Sequence, residues 1–110
     1  MLHRIRTMNL AICATACTVL CAPTAGFGAD ASALAAKYGC QACHAPDKKV
    51  VGPSYKDVAA KYAKDSGAPA KLEKVVKSGG SGVWGPIPMP PNNVPDADLK
   101  TLIEWILAQK

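Results

Sequence analysis

Cys40, Cys43 and His44 stand in the order Cys-x-x-Cys-His, and Met89 lies downstream in a proline-rich stretch. Two thiols at that spacing can form thioethers to a porphyrin, and the histidine that follows then lies beneath the iron as an axial ligand. An iron held by His and Met is closed, six-coordinate and of raised potential. The chemistry this predicts is electron transfer rather than substrate turnover.

The ligand count sharpens the expectation. The chain has two histidines, His3 and His44, and three methionines, Met1, Met8 and Met89. His3, Met1 and Met8 fall in a stretch that reads as a secretory leader. His3, Arg4 and Arg6 form its basic start, Met8 to Ala22 is largely apolar, and Pro23 to Ala29 is small and turn-forming. Cleavage is expected after Gly28, Ala29 or Ala31, so residues 1–29 are the leader and 30–110 one domain. The apolar run is short for a membrane span, which needs about 20 residues, so no stable membrane insertion is expected after cleavage. Ala14-Thr15-Ala16-Cys17 only faintly resembles a lipoprotein cleavage box. The mature chain then keeps one histidine, one methionine and two cysteines. It is expected to begin between Ala29 and Ser32 and to carry one covalent haem. Intact mass after acid-acetone treatment checks this, because thioether-linked haem stays on the protein. Colour that extracts would overturn the attachment.

From Asp30 the chain holds 11 Lys, no Arg and 8 acidic residues, a formal net charge of +3. The lysines are scattered, and without arginine this is no nucleic-acid footprint. Eighty-one residues make a marginal core that usually needs a staple. No Phe follows Phe27. A covalently held haem would supply the missing apolar bulk.

Helices must position these groups, since no strand alternation or repeat is visible. Ala31 to Tyr38 reads as a helix stopped by Gly39. Ser54 with Asp57 resembles a capping box opening a helix to about Tyr62. Pro69 suits the first turn of a helix running through Lys77. A last helix is expected from Pro95 or Asp96 to about Ala108, with Leu99, Leu102, Ile103, Ile106 and Leu107 on one stripe. Between Ser78 and Asn93 lie four Gly and four Pro around Met89. Proline lowers the entropy lost on ordering a loop, which suits a weak thioether ligand better than core filler.

Other readings stand beside these. A dithiol redox motif wants a βαβ context, which is absent. A closed structural zinc site needs four ligands, and only three good ones occur. The Pro53 carbonyl, in Val51-Gly52-Pro53, is a candidate acceptor for the other ring N–H of His44. Trp84 is either core or an indole donor to a haem propionate. Asn92 is either a plain loop residue or an amide that bonds the Met89 sulfur.

With these motifs in order, the mature chain resembles a class I cytochrome c of the small bacterial cytochrome c-551 (c8) family. The resemblance rests on Cys-x-x-Cys-His, Val51-Gly52-Pro53, Tyr55-Lys56-Asp57-Val58-Ala59, Gly82-Val83-Trp84-Gly85-Pro86 and Pro88-Met89-Pro90-Pro91-Asn92. It implies an all-α fold of short helices wrapped around one haem c. It also implies thioethers at Cys40 and Cys43, axial ligands His44 and Met89, and supporting roles for Pro53, Trp84 and Asn92. Some members carry an Arg in the third helix, directed at a propionate, where this chain has Val75; Lys74 or Lys77 is the expected substitute, though Lys is no equivalent fork. The expected function is one-electron shuttling in the periplasm by a monomer. Nitrite reductase, a terminal oxidase and a bc1-type complex are partners compatible with the family. A peroxidase or gas-binding protein needs an open iron position and a distal acid-base residue, and the mature chain has no second histidine for that role.

Overall fold

Helix α1, Gly28–Lys37, opens the computed structural model, which describes residues 28–110. The leader expected over residues 1–29 falls almost wholly outside them. α1 starts three residues before the expected Ala31 and ends one before Tyr38. Asp30 in its first turn and Lys37 in its last both complement the helix dipole. Gly39, at φ +73°, takes the left-handed conformation that stops it. A single 3-10 turn, Cys40–Ala42, follows at once.

Helix α2 is Tyr55–Tyr62, and the buried Ser54 caps it by accepting the Asp57 N–H at 3.0 Å. Helix α3 is Ala68–Ser78, with Pro69 in its first turn as expected. Its entry is held by Asp65, whose carboxylate accepts the Gly67 N–H at 2.8 Å and pairs with Lys71 at 2.6 Å. The Asp65 carboxyl is held below its usual range, chiefly by Lys71 and then by the Gly67 N–H. Helix α4 is Asp96–Leu107, with Asp96 and Asp98 in its first turn. Pro95 stands at its N-cap, where it offers no side-chain acceptor.

α4 is the centre of the molecule, for it packs against each of the other three helices. Leu99, Leu102 and Ile103 are buried on it, and with Ala35 and Val94 they form the core. Small Ala31 and Ala35, four residues apart and both buried, form the buried face of α1. Among the described residues no strand forms; His44 with Lys49 and Gly80 with Met89 make isolated bridges. Among the same residues no helix is long and apolar enough to cross a membrane.

Candidate functional site

The Cys-x-x-Cys-His segment is wound tightly by its own backbone. Cys40 O accepts the N–H groups of Cys43 and His44 at 3.2 and 3.0 Å. The chain then doubles back, and Gly52 donates its N–H to Cys43 O at 2.8 Å. This return brings Gly52 under the His44 ring. A Cβ at residue 52 would lie 2.4 Å from His44 Cε1, so only glycine fits. The next residue completes the arrangement: His44 Nδ1 is 2.7 Å from Pro53 O. A carbonyl only accepts, so Nδ1 carries the proton, which leaves Nε2 as the ring nitrogen that can present a lone pair. That is the tautomer a metal ligand requires.

Tyr55 supports the same ring from α2. Its ring stacks on His44 with centroids 5.8 Å apart and meets Trp105 edge-on at 5.1 Å. The Tyr55 hydroxyl is buried without a partner, and burial pushes its pKa up to about 12, with Cys40 adding to the rise. In the sequence Tyr55 stands out only as part of the Tyr55-Lys56-Asp57-Val58-Ala59 motif, directly after the Ser54 cap, with nothing to assign it to the His44 ring.

The Met89 segment is closed by a pair of backbone bonds. Gly80 N–H donates to Met89 O at 3.1 Å, and Met89 N–H donates to Gly80 O at 2.8 Å. Gly79, at φ +75°, lies so close that a Cβ there would be 2.7 Å from Met89 O. Asn92 finishes the loop. Its N–H donates to Val76 O on α3 at 2.7 Å, and its side-chain amide donates to Tyr38 O at 2.8 Å. The amide thus has a partner that the sequence did not reveal, and its second N–H remains for another acceptor.

All seven expected residues line one cavity of about 390 Å³: Cys40, Cys43, His44, Pro53, Trp84, Met89 and Asn92. Tyr55, Val58, Leu99, Leu102, Ile103 and Ile106 supply much of its apolar wall, and Lys49 is the one charged side chain among the lining residues. A large apolar disc with a cationic metal centre fits this lining, the Nε2 lone pair of His44, the Met89 thioether and the two unbridged thiols. The other readings of the motif fare worse. Burial raises the Cys40 thiol pKa, the opposite of what a reactive dithiol needs. Among the described residues no three His, Cys, Asp or Glu side chains converge as a zinc site would require.

The surroundings of Val75 differ from expectation in detail. Val75 lines the cavity, while the Lys77 ammonium pairs with Asp96. Trp84 is 39 % exposed rather than core. Lys61 of α2, which no sequence motif marks, sits 5.4 Å above the Trp84 ring.

The sequence model of the Cytochrome c family matches residues 28–110. Cytochrome c-551 of Pseudomonas aeruginosa is 57% identical over 81 residues, which are 74% of this chain and 78% of that protein. Cytochrome c-552 of Nitrosomonas europaea is 54% identical over 87 residues, 78% of this chain and 84% of that one. The crystal structure of wild-type Nitrosomonas europaea cytochrome c552 superposes with a TM-score of 0.69 at 56% identity, covering 72% of this chain and 99% of its own. The class 1 cytochrome MtoD of Sideroxydans lithotrophicus ES-1 gives a TM-score of 0.60 at 34% identity, covering 72% and 91%.

Proposed function

The chain belongs to the cytochrome c family, as a class I electron carrier of the c-551 type with one covalent haem c, and we propose that His44 and Met89 are its axial iron ligands. It is an electron-transfer protein and not an enzyme. The haem supplies the one-electron couple; Cys40 and Cys43 hold it by thioethers. The observation that carries the ligand assignment is the His44 ring. Pro53 O at 2.7 Å and the close approach of Gly52 leave it one orientation and one tautomer, with Nε2 as the donor. Met89 lines the same cavity from a loop stiffened by Pro86, Pro88, Pro90 and Pro91.

In this reading each protein group has a separate task. The thioether of Met89 favours ferrous iron, and the apolar wall disfavours the extra charge of ferric iron. Both raise the potential. Trp84 would offer its indole N–H to a carboxylate of the haem, and Lys61, 5.4 Å above its ring, would add a positive charge there. Asn92 holds the Met89 loop in place. His44 and Met89 would hold the iron in both oxidation states, which would keep rearrangement small on electron transfer.

The site of action is the periplasm, reached through the leader expected over residues 1–29, and the working form is a monomer. The partners are redox proteins, with nitrite reductase, a terminal oxidase and a bc1-type complex as the candidates. Val51 and Ile87 line the cavity and are 46 % and 64 % exposed. They give an uncharged, exposed contact beside the cavity, with exposed Lys48 and Lys49 close to Val51 in sequence. Such a surface suits brief docking to an acidic partner, steered by Lys37, Lys48 and Lys49. The association rate with that partner is expected to fall as salt is raised, because the screening length drops from about 10 Å at 0.1 M to about 3 Å at 1 M. Stopped-flow oxidation at several salt concentrations measures this. A rate that is flat or rises with salt overturns the acidic-partner docking and favours apolar docking.

A further inference from the structure

Asn92 is tied to three parts of the molecule at once. Its N–H reaches Val76 O on α3 at 2.7 Å, its amide reaches Tyr38 O at 2.8 Å, and its own carbonyl accepts the Val94 N–H at 3.0 Å on the way into α4. The Tyr38 carbonyl lies just past the last residue of α1, where helix ends fray and carbonyls lack helical partners. Its position therefore depends on what else holds residue 38. The backbone supplies one bond, from Tyr38 N–H to Leu34 O at 3.0 Å. The side chain supplies another: the Tyr38 hydroxyl donates to Asp98 Oδ2 at 2.5 Å, across 60 residues, in the first turn of α4. A phenol on a carboxylate is a short, charge-assisted bond of the stronger kind. It is also half-buried, and the Lys37 ammonium covers the ring at 5.2 Å.

We propose that Tyr38, clamped by Asp98, is a positioning residue for the Met89 loop: it fixes the carbonyl that holds Asn92, and so slows the departure of the Met89 thioether. The chain of contacts runs from α4 through Asp98, Tyr38 and Asn92 to the loop that ends in Met89-Pro90-Pro91. Neither Tyr38 nor Asp98 is among the residues lining the cavity, so both act through Asn92. The inference rests on the reading of Met89 as the sixth ligand.

The test uses the ferric holoprotein and saturating imidazole, whose limiting binding rate reports how often the thioether leaves. Tyr38→Phe and Asp98→Ala are each expected to raise that rate about fivefold, the factor that one lost hydrogen bond of ordinary net strength gives. The double variant should be no faster than either single one, because the two residues act as a unit. Ala59→Gly weakens buried α2 without touching the chain of contacts or the cavity lining, and should leave the rate unchanged. Unchanged rates in the Tyr38 and Asp98 variants, additive effects, or an equal rise in Ala59→Gly would each overturn the proposal. The near-infrared band of sulfur-ligated ferric haem is recorded on the same samples. Its absence from the wild type would instead remove the ligand assignment itself, and the proposal with it.

Discussion

Met89→Ala is expected to leave the haem attached and to change what the iron can do. Cys40, Cys43 and His44 are untouched by the substitution, and they come from a different segment of the chain, closed by the Gly52 to Cys43 bond at 2.8 Å. The covalent links should therefore form as before. What would be lost under the proposed ligation is the soft ligand that favours ferrous iron. The reduction potential should fall by on the order of 0.1 V or more, a fraction of the about 0.8 V that axial ligands span. The iron should also become open to water and CO. Redox titration and a CO difference spectrum of the ferrous variant read both effects. A variant with native potential that refuses CO would show that Met89 is not the ligand.

The second large effect is expected at Gly52. The backbone there passes so close to the His44 ring that a methyl group would lie 2.4 Å from Cε1, 2.9 Å from Nδ1 and 3.1 Å from Nε2. The ring cannot yield without lengthening the 2.7 Å contact with Pro53 O or leaning on Tyr55. Gly52→Ala should therefore cost about 1–3 kcal/mol, the usual range for overpacking. For a domain this small, that is a loss of roughly 4–8 °C in Tm for each kcal/mol. Thermal unfolding of the holoprotein followed by circular dichroism measures it. A Tm unchanged within about 2 °C would mean that His44 does not sit against this glycine.

Local signals proved readable in the sequence because they act over a few residues. Ser54 caps α2 through Asp57, three residues on, and Pro69 opens α3 where its missing N–H does no harm. The stripe on α4 placed Leu99, Leu102 and Ile103 in the core. Pro53 met His44 as expected, nine residues away and within one turn of chain. The start of α1 was less legible, because the small residues that read as a cleavage region are also compatible with helix, and Gly28 begins it.

What the sequence did not reveal is what folding brings together from far apart. The Asn92 amide finds a carbonyl 54 residues earlier, and the Tyr38 hydroxyl a carboxylate 60 residues later. No periodicity or spacing encodes such pairs. The same holds for Lys61 above Trp84, which sits on another element from Lys74 and Lys77, the candidates nearest to Val75 in sequence. The steric role of Gly52 was hidden for a different reason. Val-Gly-Pro reads equally well as a plain turn, and only the fold reveals that the His44 ring lies on it.

The most direct test of a His44 and Met89 pair is the near-infrared absorption of the ferric wild-type protein near neutral pH. The two ligands predict the weak band that sulfur gives to ferric haem, present in the wild type and abolished in Met89→Ala. A wild-type spectrum without that band, or a band that survives in Met89→Ala, would contradict the assignment.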